Sequence, residues 1–188
     1  MDYIDKQFAV APDVSVIGIA LDRAYAKEMR DLVLEMDDPL VTEYFKRYFD
    51  MTNFIALMRV RRSGHTKESF ERIYVKGGSI EKRRFADAFD MADESVFDAV
   101  MRPAYVNAMA HAYNEYKKGG SLYMLEKARD DDLMALVKAE RHDMFGIAPL
   151  MGYYLAKQRE AAAVRMVMTA KQGGIKGQVV LDRLKELF

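Results

Sequence analysis

The chain has 188 residues, of which 51% are hydrophobic, so it can bury the core of one ordinary domain or of two small ones. Its 29 basic and 29 acidic residues give a net charge of zero, which argues against a nucleic-acid partner because no general field attracts polyanions. The absence of cysteine excludes disulfides, thiolate nucleophiles and cysteine metal sites. No stretch approaches the roughly 18 consecutive apolar residues of a membrane-spanning helix.

The first part of the chain predicts a loose lead-in followed by two long helices. Residues 1–14 show no clear period, whereas apolar residues recur at helical spacing over 15–36. Asp38 caps a second helix over 39–63, in which a proline takes the first position. This helix is apolar nearly all round, so we expect Asn53 within it to bond a neighbouring helix end or backbone group.

Shorter elements fill the middle of the chain. Helices are expected over 66–75, 80–89, 96–101 and 103–118. Ser95 and Asp98 resemble a capping box ahead of the third of these. Glycine pairs that begin at residues 77, 119 and 173 mark helix ends. Strand-like alternation of useful length is missing, so the sequence predicts an all-α fold.

The final long helix is expected between Pro149 and the glycine pair at 173, about six turns in length. Because its apolar residues extend beyond one stripe, we expect the helix to be packed on more than one side. Its main apolar face consists of Leu150, Tyr154, Ala161, Val164 and Met168. The charged segment 157–160 interrupts this surface and predicts a solvated stripe, in which Glu160 pairs with Lys157 or Arg165.

The chain contains an internal repeat. A shift of 110 positions aligns the segment 39–64 with 149–174, and both segments begin with proline and end with glycine. A shift of 104 positions aligns 21–33 with 125–137. Two copies of one helical unit, which differ by a short insertion before the proline, explain both shifts.

The search for catalytic chemistry gives mainly negative results. Neither a GxxxxGK[ST] nor a GxGxxG loop occurs, and the three histidines lack metal-ligand spacing. The acidic run 130–132 cannot converge on one ion, because consecutive helical residues point about 100° apart, so we expect a solvated helix face. We therefore assign no catalytic, cofactor-binding or metal-binding residue. Two basic clusters are candidate partner contacts: Arg59, Arg61 and Arg62 at a helix C-terminus, and Lys82, Arg83 and Arg84.

An ordered series of segments resembles a known family. The series comprises LYMLEK at 122–127, FG at 145–146, PL at 149–150, GY at 152–153, AKQRE at 156–160, Arg165, GG at 173–174 and DRLKELF at 182–188. It is similar to the C-terminal signature of the C subunit of V-type and archaeal-type ATPases, called the d subunit in eukaryotic enzymes. LDRAY at 21–25, FDMTNFI at 49–55 and Arg59 resemble the middle repeat of that family.

The resemblance implies an all-helical, pseudo-threefold fold with three units arranged as a funnel. We expect this chain to hold the last two units, with a lead-in at 1–20, the second helical unit at 21–120 and the third at 121–188. The first third is expected to be missing, either because the chain was cut, with Met1 as an introduced start, or because the form is naturally short. We favour the cut.

The family further implies a non-catalytic rotor subunit of the central stalk, cytoplasmic and peripheral to the membrane. Such a protein joins the shaft, formed by the D and F subunits, to the membrane proteolipid ring, so that ATP hydrolysis or synthesis is linked to proton or sodium transport. Its function is then sensitive to core disruption, for example by charge at Ile55 or Val164. The alternative is a free-standing helical repeat module that binds protein in the groove between its repeats.

Overall fold

A computed structural model describes residues 15–143, 145–181 and 183. Within these residues the chain forms nine helices and no strands, which confirms the predicted all-α class. The helices are α1 (Ser15–Met36), α2 (Pro39–Arg62), α3 (Lys67–Ile73), α4 (Lys82–Ala88), α5 (Asp93–Val100), α6 (Pro103–Lys117), α7 (Leu122–Ala139), α8 (Ala148–Gln172) and α9 (Gly177–Leu181). The lead-in expected at 1–14 lies outside the described residues, as does the terminal segment 182–188 except Arg183.

The described helices form two compact units that divide between Met101 and Arg102. The first unit contains α1 to α5, and the second contains α6 to α9. Helix α6 belongs to the second unit because it packs against α7. The boundary that we expect between residues 120 and 121 follows the internal repeat of the sequence, and it stays a prediction.

Helix α2 is the centre of the first unit and packs against α1 and α3. The side chain of Asp38 accepts a hydrogen bond from Val41 N at 2.9 Å, which confirms the predicted cap. A ring contact joins α2 to α5, because the ring centroids of Phe54 and Phe97 lie 5.7 Å apart. Since α2 is buried on several sides, it forms the core around which the first unit assembles.

The short helices lie near their predicted positions, with two errors. Helix α3 ends at Ile73 and has Tyr74 as its C-cap residue, so the glycine pair at 77 lies in the following connection and does not mark the helix end. Helix α5 begins at Asp93 and has Ala92 as its N-cap residue, so the predicted capping box of Ser95 and Asp98 is wrong. Asp93 and Glu94 occupy the first turn instead, where negative charge is favourable at the positive end of the helix dipole. The prediction placed the start of the helix too late by about one turn.

In the second unit, α7 packs against both α6 and α8. Ser121 caps α7 by accepting a hydrogen bond from Tyr123 N at 3.2 Å. Helix α8 has Pro149 in its first turn and Gly173 as its C-cap residue, as predicted. Gly174 then adopts a φ of 64°, a left-handed conformation that other residues rarely adopt.

The packing expected for α8 is wrong in the part of the chain that the structure describes. Its buried residues are the small ones Ala148, Gly152 and Ala170. The predicted apolar face is exposed instead, with Leu150 at 70% and Val164 at 54% relative exposure. At about 100° per residue, the buried and exposed sets lie on opposite sides of the helix. The fully buried side of α8 therefore consists of small residues, and the large apolar residues of the predicted face lie on the opposite side.

Candidate partner-binding surfaces

Arg61, in the first basic cluster, connects α2 to the start of α5. Its guanidinium donates hydrogen bonds to the carbonyl oxygens of Ala88 at 3.3 Å and Met91 at 2.7 Å. It also pairs with the Asp93 carboxylate at 2.7 Å. These contacts fix the end of α2 to the α4–α5 connection, so Arg61 has a structural role within the first unit.

The other members of this cluster, Arg59 and Arg62, are exposed. Both lie with Arg61 in the last turn of α2, as predicted, where cations are favoured at the negative end of the helix dipole. They present positive charge at the surface beside the connection that Arg61 holds.

The second basic cluster begins α4. Lys82 pairs with Glu71 of α3 at 3.0 Å, and Arg84 donates a 2.5 Å hydrogen bond to a carbonyl oxygen of α5. Arg83 pairs with Asp87 at 3.6 Å, but its side chain is 87% exposed. Arg61 donates to Ala88 O at the C-terminal end of α4, whereas the second cluster lies at the N-terminal end of the same helix. The two clusters therefore contact opposite ends of a helix about 10 Å long.

Two buried polar residues of α2, Asp50 and Asn53, hold the segment that follows α3. Asn53 donates to Val75 O at 2.8 Å and accepts from Val75 N at 2.9 Å, which confirms the predicted bonding to backbone. Asp50 accepts from Ser79 N at 3.1 Å, from Ser79 Oγ at 2.5 Å and from Ile80 N at 3.0 Å. The two side chains therefore fix the 75–80 segment against the core helix.

The role of Asp50 was missed by the sequence analysis. The available signal was an acidic residue within a helix that is otherwise apolar nearly all round, three positions before Asn53. Gly78 lies so close that a Cβ atom there would clash with Asp50 Oδ1. Burial, followed by the nearby charges of Asp50 and Glu81, raises the pKa of Tyr74, whose hydroxyl donates to the same segment at Ile80 O.

The exposed side of α8 forms a second type of surface. We call it the outer face of α8, and it comprises Leu150, Tyr153, Tyr154, Val164 and Met168. Lys157 lies on the same side and pairs with Glu160 at 2.7 Å, one of the pairings predicted. Hydrogen bonding to this carboxylate and its charge raise the pKa of Lys157. A shallow, open depression lies along residues 157–172 of the same helix.

Acidic residues of α7 are paired rather than solvated, so the interpretation of the acidic run as a solvated face is wrong. Asp131 pairs with Lys127 at 2.9 Å and with Arg159 of α8 at 3.4 Å. Asp130 pairs with Arg129 at 2.8 Å, and its carbonyl oxygen also accepts from Arg159. Only 12% of the Arg159 side chain is exposed, so this residue does not belong to a solvated stripe. The charges join α7 to α8.

The part of the chain that the structure describes contains no arrangement of side chains suited to a metal ion. Among these described residues, no group of three or more His, Asp or Glu side chains is placed to hold one. The three histidines, His65, His111 and His142, are each exposed. None of the helices in the described part of the chain is long and apolar enough to cross a membrane.

These features define an all-helical protein of two compact units, with exposed basic residues on one and an exposed apolar helix face on the other. The family described as ATP synthase (C/AC39) subunit matches residues 3–183, so the chain belongs to this family and the resemblance seen in the sequence is confirmed.

Relatives in the family share low identity over most of the chain. The C subunit of the A-type ATP synthase of Methanocaldococcus jannaschii is 22% identical over 92% of this chain and 45% of its own length. The corresponding A-type protein of Haloquadratum walsbyi is 24% identical, with 90% and 48% covered. The C subunit of the V-type sodium ATPase of Enterococcus hirae is 20% identical, with 100% and 58% covered. The chain thus spans about half the length of these relatives, and no solved structure is significantly similar to it.

Proposed function

We propose that this chain acts as a non-catalytic rotor subunit in the central stalk of a V-type or A-type ATPase. In this role it couples the shaft, formed by the D and F subunits, to the membrane proteolipid ring, and so links ATP hydrolysis or synthesis to proton or sodium transport. It works on the cytoplasmic side, peripheral to the membrane, and needs no catalytic residue or cofactor of its own. Membership of the ATP synthase (C/AC39) subunit family supports this proposal.

The outer face of α8 is the observation that carries the proposal. Five large apolar or aromatic side chains are exposed along one side of this 25-residue helix. These side chains form two exposed apolar clusters, at 150–154 and 164–168, on either side of the charged segment 157–160. Exposed apolar surface on a folded protein commonly marks an interaction site, because its burial is favourable at about 25 cal/mol per Å². A helix that presents this face fits a subunit whose task is to dock against other proteins.

The first unit supports the same role because its connections are fixed internally. Asp50 and Asn53 hold the 75–80 segment to α2, and Arg61 holds the α4–α5 connection. A part that transmits torque must not yield between its contact surfaces, and such cross-links reduce local opening. The exposed residues Arg59, Arg62 and Arg83 are then the members of the basic clusters best placed to contact acidic partner surfaces.

Co-purification with a D–F shaft and, separately, with the detergent-solubilised ring tests the proposal by size-exclusion chromatography. We expect the unaltered chain to elute with each partner. Leu150→Asp and Val164→Asp should weaken at least one of these complexes, because each places a charge on the outer face of α8. Ala162→Asp is the matched control, since Ala162 is exposed but lies roughly 120–160° around the helix from those two residues.

Helical circular dichroism should be equal in all four proteins, which separates lost binding from lost folding. If the unaltered chain bound neither shaft nor ring, the rotor proposal would be wrong. If it bound both and the three aspartate variants behaved alike, the outer face of α8 would not be the docking surface.

A further inference from the structure

A concave site in the first unit is not explained by the proposed function. An open cavity of about 420 Å³ lies between α1, α3, the segment that follows α3 and the start of α4. Five cationic side chains and one carboxylate line it: Arg23, Lys27, Arg30, Lys76, Lys82 and Glu71. We call it the basic cavity. The three cations of α1 share one face of that helix because they are spaced by four and three residues.

Positive charge in the basic cavity is only partly neutralised from within the protein. Lys82 pairs with Glu71 at 3.0 Å, and Arg30 pairs with Asp31 at 3.2 Å. Lys27 forms no ion pair with any residue in the described ranges, and the same holds for Lys76. The cavity therefore concentrates cations in a chain whose total charge is zero.

The remaining lining is apolar. Ala26 and Tyr74 are buried, and Val75 lies beside them. Small-molecule sites typically enclose about 300–1,000 Å³ and combine an apolar wall with a few convergent polar groups. The basic cavity has this size and this composition, and its exposed lysines Lys27 and Lys76 line the same concave site as the three other cations.

We propose that the basic cavity binds a small phosphate ligand with several negative charges, of the class of condensed phosphates and nucleoside polyphosphates. Arginine binds phosphate oxygens through paired N–H groups, and lysine binds them as a compact positive charge. A phosphate chain concentrates several charges within the volume of the cavity, whereas an acidic peptide supplies one charge per side chain. Binding would use side chains from three elements and no glycine-rich loop.

Isothermal titration calorimetry with tripolyphosphate tests this proposal on the intact chain. In about 0.1 M salt, where charges are screened beyond roughly 10 Å, we expect one ligand to bind per chain. The double variant Lys27→Gln, Lys76→Gln should bind at least about tenfold more weakly, as expected for the loss of charge-assisted contacts. Lys46→Gln is the control, because Lys46 is an exposed cation of the same unit that does not line the cavity.

Comparison with ATP distinguishes the two sources of this ligand. Tighter binding of ATP would support a nucleotide whose base contacts Tyr74 and Val75, and equal binding would support recognition of the phosphate chain alone. Absence of stoichiometric tripolyphosphate binding would overturn the proposal, as would an equal loss of affinity in Lys46→Gln. Tighter binding of a hexaglutamate peptide, abolished by the double variant, would also overturn it and assign the cavity to an acidic protein segment.

Discussion

Removal of the Asp50 carboxylate should destabilise the first unit substantially. Asp50 is fully buried and accepts two hydrogen bonds from Ser79 and one from Ile80 N. In Asp50→Ala, these donors lose their acceptor, and a buried unpaired donor costs about 1–3 kcal/mol. Ile80 is buried and contributes near the upper value, whereas Ser79 is exposed and can turn to water. We therefore expect the free energy of unfolding to fall by about 3 kcal/mol.

Urea unfolding followed by circular dichroism measures this change, and amide hydrogen exchange locates it. The matched control is Asp87→Ala, which removes an exposed carboxylate paired with Arg83 and should cost less than about 0.5 kcal/mol. In Asp50→Ala we also expect faster exchange at Ile80, whose amide donates to the carboxylate. A stability within about 0.5 kcal/mol of the unaltered chain would refute the reasoning. So would a loss of stability with unchanged exchange at Ile80.

Three further predictions concern stability: two test buried residues of the first unit, and one tests the exposed face of α8. Burial and the nearby charge of Asp50 raise the pKa of Tyr74, so the folded state holds the phenolic proton more tightly than the unfolded chain does. The contribution of Tyr74 to the free energy of unfolding should thus be complete below pH 10 and decline as the pH rises from about 10 through the higher folded pKa. Thermal melts across this pH range should show a shallower decline of the melting temperature in Tyr74→Phe. Ile55→Asp should abolish cooperative urea unfolding of the first unit, because Ile55 is only 3% exposed. Val164→Asp should cost less than about 1 kcal/mol, which corrects the expectation that charge there disrupts a core; a larger loss in urea would show that Val164 is packed.

Helix ends and local polar contacts were predictable because their signals are local in sequence. Asp38 and the following proline define the start of α2, and Gly174 defines the end of α8 through its left-handed conformation. The hydrogen bonding of Asn53 to a backbone group was predictable, because a buried amide needs partners. The identity of its partner, Val75, was not predictable. The interaction of Asp50 with Ser79 spans 29 positions, and no local rule pairs residues at that separation.

The outer face of α8 shows that the spacing of apolar residues does not reveal which side of a helix is buried. A repeat of apolar residues predicts that Leu150 and Val164 share one side of a helix, which is correct, but it does not show whether that side meets protein. The buried side of α8 contains Gly152 and Ala170, whose small side chains do not stand out in a pattern of large apolar residues. Close approach between helices depends on the absence of side-chain bulk, and this depends on the neighbouring helix as much as on α8.

Net charge is similarly limited as a guide to ligands. A total of zero excludes a strong long-range field, and this argues against steering of a polyanion from a distance. It does not exclude the basic cavity, because charges beyond about 8 Å are largely screened at physiological salt and a bound ligand interacts mainly with the nearest groups. The acidic residues that balance the total lie partly elsewhere, as in the Asp131 pairs with Lys127 and Arg159. A phosphate ligand of the basic cavity should therefore bind with strong dependence on salt, although the total charge of the chain is zero.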